Sequence, residues 1–573
     1  MYDFISKADN NYSGLDRGFN QRFSLDEKVY GAGQGVYLVY SETDVLEALE
    51  NINSYGLNPG DVRMISGGHC YENFTFQKSD GNENYTKYVI DLSNMQQIYV
   101  DTINGIEYIV IEPGASNWLM QSALHSRFGA TLPGGSCYSV CAGGHLSGGG
   151  YGLLSRLHGL TVDYLSGVEI VVPNSDGPNA FKLRPFDPDD EDSLNWASRG
   201  GGAGHYGVIT KYFFRKDKLP RAPERAKFIA LPVPWSQFMD SEGIMNFSSF
   251  MKAYFDACAS LAPQAFTLGK FTCMADPNDM MSILIQVVYG ESSGHSGEIS
   301  GGDSYLSLNE SQADNEIANF ANALSTWIAP PTKSLFAGRK YILPGHPVSG
   351  VINLDSVYDL PWIEMTQLLN GSGENQKGKY KSSSMIGNFD DAEAEAMFKF
   401  LTDQNASNPA PRAADKSQTL IQIDSYGAQV NALDDGNGSR TAIAARSSIL
   451  KLQYQTYWKE TASSDPNVDD EEIISWFNEG YSEVHRNAMS NPSPFPLWGQ
   501  KYQGCYFNYP DRHIGVNPGY EGDPGESYRG AFAELYFGQI VADKLMEIKS
   551  RVDPANIFSF AQSIPVGSSE PRN

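Results

Sequence analysis

Glycine restricts this chain more than any other feature. One dense cluster reads Ser66-Gly-Gly-His-Cys-Tyr-Glu72, and a second runs from Leu132 to Gly152 with Gly134, Gly135, Gly143, Gly144 and Gly148 to Gly150. Without a Cβ, backbone N–H groups can come close to a pyrophosphate or a planar ring. A single cluster is equally well explained by a tight loop. Two clusters, carrying the nucleophiles His69 and Cys137 at a separation of 68 positions, point to a bound cofactor. A third segment has G-x-G-x-x-G at Gly202, Gly204 and Gly207. A dinucleotide fingerprint must open a helix, whereas Val208 to Phe214 reads as a strand, so a nicotinamide dehydrogenase is set aside. Gly290 to Gly294 has the form G-x-S-x-G but runs into loop residues, which a nucleophile elbow does not.

Composition removes other classes. The 573 residues hold 42 basic and 68 acidic side chains, a formal net charge of −26, so nucleic acid and anionic membranes are repelled. No run of about 20 apolar residues is present to span a membrane. The start, MYDFISKADNNYSG, lacks the basic-then-apolar pattern of a secretory leader, which favours the cytoplasm over secretion. Six cysteines with no C-x-x-C pair predict neither a disulfide framework nor structural zinc, and no metal site is expected. The sequence leaves monomer or homodimer open.

Periodicity predicts an α+β chain. Strands are expected at Val36–Tyr40, Asp61–Ser66, Tyr88–Leu92, Gln97–Asp101, Glu107–Glu112, Gly167–Pro173 and Tyr206–Arg215. Ser41 and Asp44 should form a capping box opening a helix through Asn51, and Gly129 should stop a helix over Asn117–Phe128. From about 221 the texture changes to longer strands, Met280–Tyr289, Thr419–Gly427 and Ile449–Trp458, with helices such as Asp391–Leu401 and Glu471–His485 between them. A last helix is expected from Gly530 to Arg551, ending before Asp553-Pro554. The expected division is residues 1–220 with 501–573 in one domain, and 221–500 in a second built on a large antiparallel sheet covered by helices.

The pattern S-G-G-H, then P-G-G-S-C, then G-G-x-x-x-G-G-G resembles the vanillyl-alcohol-oxidase superfamily of PCMH-type flavoproteins. Within it the chain is similar to the berberine-bridge-enzyme-like branch, and there to the hexose-oxidase-like members. The stretches LSRLHGLTVDYLSGVEIVV, NGSGENQKGKYKS, LKLQYQTYW and GCYFNYPD carry that likeness along most of the chain. The resemblance implies FAD attached twice, through His69 to the 8α-methyl carbon and through Cys137 to ring carbon 6. A neutral imidazole and a thiolate are the side chains able to add to an electron-poor ring. Its implied cofactor contacts are Ser66, Gly67, Gly68, Gly134, Gly135, Ser136, Val140, Gly143, Gly144, Gly150, Ile209 and Asn508. His205 stands where relatives often carry asparagine.

The resemblance also makes Tyr509 of N-Y-P-D the general base, with Asp424 lowering its effective pKa. A phenol titrates near 10, so it needs such a partner. Gln422 shares a strand face with Asp424, and Gln453 with Gln455, so that these amides address one groove. Tyr71 would serve as an aromatic platform and Tyr151 as a pocket wall. His145 and His158 read as structural histidines, and Arg63 as either a phosphate contact or a solvent-facing residue. The expected activity is oxidation of an aldose at C1 to a lactone, with dioxygen reduced to hydrogen peroxide. The alternatives are a tailoring oxidase acting on a natural-product alcohol and a non-catalytic carbohydrate-binding protein.

Overall fold

The structure is a computed structural model. It describes residues 2–7, 9, 18–20, 22, 34–72, 74–75, 86–175, 177–188, 193–291, 308–328, 342–343, 346–347, 357–370, 376–434, 436–458, 466–491, 493–515 and 531–567. The fold is α+β. Four strands, β1 (Asp3–Ser6), β2 (Gly35–Leu38), β3 (Val62–Ile65) and β4 (Tyr88–Asp91), form a sheet in the order β1-β2-β4-β3. β2, β4 and β3 run parallel, joined across by the helix Glu42–Asn53. Ser41 caps that helix by accepting the Asp44 N–H. The Asp44 carboxylate takes the Tyr40 N–H rather than that of Ser41, so the expected capping box is shifted by one residue.

Five antiparallel strands follow in the order β5-β6-β9-β7-β8: β5 (Ile98–Ile103), β6 (Ile106–Ile111), β7 (Leu165–Pro173), β8 (Phe181–Arg184) and β9 (Val208–Arg215). The helix Asn117–Phe128 stops at Gly129, where φ of +62° suits glycine and its N–H returns to the His125 carbonyl. β9 directly follows the Gly200–Gly207 segment, as the exclusion of a dinucleotide fingerprint required.

The third sheet is the largest. It contains β10 (Pro223–Pro234), β11 (Ala265–Thr272) and β12 (Met280–Glu291). After the two-residue strands β13 (Ile342–Leu343) and β14 (His346–Pro347), which pair with each other, it continues through β15 (Tyr358–Pro361), β16 (Lys377–Met385), β17 (Leu420–Ser425) and β18 (Leu450–Trp458). The order is β15-β10-β12-β11-β17-β18-β16, and the pairs are antiparallel. The helices Gly243–Ala259, Glu310–Ala323, Asp391–Leu401 and Pro466–Asn487 cover one face. Alternation puts Ile421, Ile423, Leu450, Leu452 and Tyr454 into the core under them. The opposite face carries Gln422, Asp424, Lys451, Gln453 and Gln455, and these are buried as well.

One expectation fails for a local reason. The C-terminal helix is two helices, Ala531–Phe537 and Gln539–Val552, because Gly538 adopts φ of +70° between them. β12 runs through Gly290 to Glu291, and Ser292 to Gly294 lie outside the described residues. Among the described residues, no helix is long and apolar enough to cross a membrane.

Candidate active site

The two glycine loops are folded against each other. A Cβ on Gly67 would lie 2.8 Å from the Cys141 nitrogen, and one on Gly143 would lie 2.7 Å from Ser66 Oγ. Only bare backbone allows that approach. Asn117, first residue of its helix, donates from Nδ2 to the carbonyls of Gly135 (3.1 Å) and Cys137 (3.0 Å), fixing the Cys137 loop. His145 accepts the Gly135 N–H at 2.9 Å on Nε2, and its carbonyl takes Asn508 Nδ2 at 3.1 Å, so it is structural as expected. His158 is also buried. Arg63 is buried rather than solvent-facing: it donates to the carbonyls of Phe74, Gly60 and Val62 and lines the cavity walled by these loops. His205 is buried too, and its Nδ1 accepts the Ile564 N–H at 3.1 Å.

These loops wall a cavity of about 380 Å³. His69 and Cys137 both open onto it, with Ser66, Gly67, Gly68, Gly135, Ser136, Val140, Gly143, Gly144, Ile209 and Asn508. Two expected contacts do not. Gly134 packs against His145 and Gly150 against Thr161, so those glycines serve loop packing instead. Gly144 presents backbone to the space, with nothing within 4 Å of where its Cβ would stand. Burial lowers the His69 pKa to about 4, which keeps the imidazole neutral with its lone pair available. The ring stacks on Phe19 at 4.6 Å, and Nε2 lies 2.9 Å from Ser139 Oγ. Cys137 differs from expectation. Burial pushes its thiol up to about 11, opposed by the charge of Lys270, so the resting group is a thiol and not a thiolate. A bare glycine wall beside a neutral imidazole and a thiol suits the ring and pyrophosphate of FAD.

The third sheet supplies the opposite wall. Register sets Gln422 beside Gln453 and Asp424 beside Lys451 across β17 and β18, and Lys270 beside Gln422 across β11 and β17. The side chains bond in a strip. Tyr457 donates to Gln455, Gln455 to Gln453 at 2.9 Å, and Gln453 to the Tyr71 hydroxyl oxygen at 3.1 Å. Gln422 donates to both Asp424 oxygens, and the Tyr151 hydroxyl donates to Asp424 Oδ2 at 3.2 Å. Asp424 is thus bonded to Tyr151, and its influence on Tyr509 is through charge alone. That charge acts against the expectation. An anion raises a phenol's pKa, and Tyr509 is held well above the ordinary value by burial first, then by Tyr71 and Asp424. Asp424 cannot lower the phenol's pKa. It can receive a proton, because burial raises its own pKa to about 6 against the pull of Lys270 and Lys451.

Tyr71 also departs from the expected platform. Its ring is stacked on Tyr380 at 3.6 Å and on Tyr509 at 5.7 Å, so its hydroxyl edge is what it offers the pocket. Sequence reasoning missed Lys270, Lys451, Tyr380 and Tyr506. Lys451 Nζ lies 3.4 Å, 3.7 Å and 4.5 Å from the ring centroids of Tyr506, Tyr151 and Tyr509. Phe19 and Asn20 were missed as well. Asn20 donates to the carbonyls of Tyr71 and Gly378 and accepts the Gly378 N–H, tying the His69 loop to β16.

Behind Tyr71 and Tyr509 lies a second group of charges. Lys379 bonds Glu72 and Asp511, Lys381 bonds Asp511 at 2.5 Å, and Arg22 bonds Glu72 at 2.5 Å. Glu72, Asp511 and His513 bring metal-ligand atoms within 4.8 Å of one another, but the Lys379 ammonium already bonds both carboxylates.

The comparisons fit this geometry. Family models match twice, an FAD binding domain over residues 33–177 and a berberine and berberine-like model over 505–565. Hexose oxidase of Chondrus crispus is 31% identical over 98% of this chain and 94% of its own. The chain belongs to the berberine-bridge-enzyme-like branch of the vanillyl-alcohol-oxidase flavoproteins. It is therefore an FAD-linked oxidoreductase with the PCMH-type fold. Aclacinomycin-N/aclacinomycin-A oxidase of Streptomyces galilaeus is 26% identical over 98% of this chain and 89% of its own. Among solved structures, CrmK, a flavoenzyme of caerulomycin biosynthesis, gives a TM-score of 0.74 at 26% identity over 99% of both chains. A glycopeptide hexose oxidase, DBV29, gives 0.73 at 23% over 98% of this chain and 99% of its own.

Proposed function

We propose that this protein oxidises the C1 hydroxyl of an aldose, a hexose or short oligosaccharide, to the lactone, with hydrogen peroxide as second product. The observation that carries the reading is one cavity lined by His69, Cys137, Tyr509, Asp424 and an amide strip. FAD, when bound, is the acceptor for the C1 hydrogen with its electron pair, and dioxygen reoxidises it. His69 and Cys137 are the two attachment residues. Residues 1–220 and 501–573 hold the cofactor, and 221–500 hold the sugar.

The chain's own groups manage the proton and the pose. Tyr509 takes the proton of the C1 hydroxyl as it gives up its own phenol proton. The proton's route leads toward the Tyr151–Asp424 pair, since Asp424 titrates near neutrality. Lys451 packs its Nζ against the faces of Tyr151, Tyr506 and Tyr509 and holds those rings in place. Gln422, Gln453, Gln455 and the Tyr71 hydroxyl read the sugar hydroxyls. Losing one such contact costs about 1–3 kcal/mol, so epimers should differ by tens-fold rather than completely.

A second reading, a tailoring oxidase for a glycosylated natural product, is favoured by the aclacinomycin oxidase relative. Oxygen uptake and peroxide release across free hexoses, oligosaccharides and glycosides separate the two. Turnover of free sugars to lactone supports the first, and turnover of glycosides or alcohols alone replaces it with the second. Acid precipitation tests the attachment: yellow colour stays in the pellet when His69 and Cys137 are bonded, and full release rejects it.

A further inference from the structure

The hydrogen bonds along the amide strip have a direction, and Lys270 sets it. Lys270 is 2% exposed and donates from Nζ to Gln422 Oε1. An ammonium has three donors and no acceptor, so it engages only the carbonyl end of an amide. The amide nitrogen of Gln422 is thereby turned to Asp424, where it donates to Oδ1 at 2.8 Å and Oδ2 at 3.0 Å. Gln455 Nε2 approaches the same Gln422 oxygen at 3.4 Å, from the other side of the strip. If Lys270 were absent, the Gln422 amide could turn its carbonyl to Asp424. Two acceptors would then face each other, and only a protonated carboxyl could satisfy both.

We propose that Lys270 is a positioning residue for proton removal: it fixes the Gln422 amide and holds Asp424 ionised, ready to receive the substrate's proton. This rests on the reading of Asp424 as proton acceptor. The groups facing Asp424 come from every neighbouring element. They are Gln422 on its own strand, Lys270 from β11, Lys451 from β18, Tyr151 from the second glycine cluster, Tyr509 from N-Y-P-D, and Tyr254 and Cys258 from the helix behind. Two of these are lysines, and they differ. Lys451 lies over aromatic faces, and burial drives its pKa far below the usual lysine value. Lys270 is hydrogen-bonded into the strip, and with its pKa lowered to about 8 by burial it stays charged through neutrality. Of the two, it is also the charge that opposes the effect of burial on Asp424 more strongly.

The test is the pH profile of anaerobic flavin reduction by sugar, beside infrared difference spectra of the protonated carboxyl C=O stretch assigned by its loss in Asp424→Asn. Removing an opposite charge raises a carboxyl pKa by about one unit or more. In Lys270→Met the acid limb should therefore move up by about one pH unit. The rate at pH 6 should fall roughly fivefold while the rate at pH 7.5 stays within about twofold, and the C=O band should persist to correspondingly higher pH. Lys270→Arg, which keeps charge and donors, should restore the wild-type limb. If Lys270→Met does not accumulate as folded protein, Lys270→Gln carries the same expectation, since it keeps a donor without the charge. A limb that vanishes in Asp424→Asn but does not move in Lys270→Met or Lys270→Gln overturns the inference alone. A limb that survives Asp424→Asn overturns the proton-acceptor reading, and the inference with it.

Discussion

Asp424 and Asp511 are both almost completely buried carboxylates, 2% and 1% exposed, and each lies near two lysines. Asp511 touches its lysines directly, at 2.5 Å from both Lys379 and Lys381, and its pKa is driven well below the ordinary range despite burial. Asp424 meets no lysine in a direct ion pair. Lys270 reaches it through the Gln422 amide and Lys451 from among tyrosine rings, and burial wins, raising it to about 6. Equal burial with different contact separates a charge that locks structure from a proton site that works near neutral pH. The two regions meet at adjacent residues. Tyr71 faces the pocket and Glu72 the ion pairs, and Tyr509 stands two positions before Asp511.

The largest expected effect breaks the working side. Tyr509→Phe keeps the ring against Tyr71 and Tyr506 and deletes only the hydroxyl. General base catalysis contributes roughly 10²–10⁴-fold, so kcat should fall by that factor with flavin content unchanged. Wild-type flavin reduction in anaerobic stopped flow would move the base to Tyr151. Next, Asp511→Asn breaks the locking side. Removing one partner of a buried pair costs about 3–5 kcal/mol, so thermal unfolding should occur far below the wild-type temperature. An unshifted melting curve would show that the cluster locks nothing.

Asp424→Asn is the same chemical change with the opposite sign for stability. Its folded pKa of about 6 lies above the ordinary 3.8, so the native state binds more protons between those values and stability falls as pH rises through that window. Glu72 runs the other way. Its pKa is lowered from 4.5 to about 2 by Arg22, Lys379 and Arg512 acting against burial. Its contribution is present above about 4.5 and is lost as pH falls toward 2. Asp424→Asn should therefore raise stability at pH 7 by on the order of 1 kcal/mol, and the melting temperature with it, while slowing turnover less than Tyr509→Phe does. A melting temperature lowered as far as that of Asp511→Asn would erase the distinction between the two regions.

Much of the cofactor side was legible because glycine, histidine and cysteine carry their reasons locally. A loop that must approach another loop at Gly67 and Gly143 can be read from composition, and the helix Asn117–Phe128 announces its stop in Gly129. The ion-pair side was not legible. Lys377, Lys379 and Lys381 alternate on β16 as they would on a solvent face, and their partners Glu72, Asp470 and Asp511 come from distant parts of the chain. β10 was hidden by Pro223, Pro232 and Pro234, which argue against a strand with neighbours on both sides. Lys270 ends an apolar alternation, Phe266, Leu268, Lys270, and nothing local says that it turns inward to an amide. Gly134 and Gly150 were drawn to the cofactor by their motif, yet sterics use them against His145 and Thr161.

The smallest effect tests the seam between the two regions. Tyr71→Phe removes one hydroxyl, the acceptor of Gln453 Nε2 at 3.1 Å, and leaves the stack on Tyr380 in place. The ion pairs of Glu72 should not notice, so the melting temperature should stay near that of the wild type. The Gln453 amide should lose its fixed orientation and with it part of its grip on the sugar. A single hydrogen bond contributes about 0.5–1.5 kcal/mol, so KM should rise by roughly two- to tenfold with little change in kcat. The pKa of the Tyr71 phenol, held well above its ordinary value chiefly by burial, keeps it a neutral donor and acceptor at working pH, so the effect should not vary with pH. A fall in kcat instead of a rise in KM would mean that Tyr71 acts on Tyr509 through their stacked rings, and that the seam belongs to proton removal rather than to sugar binding.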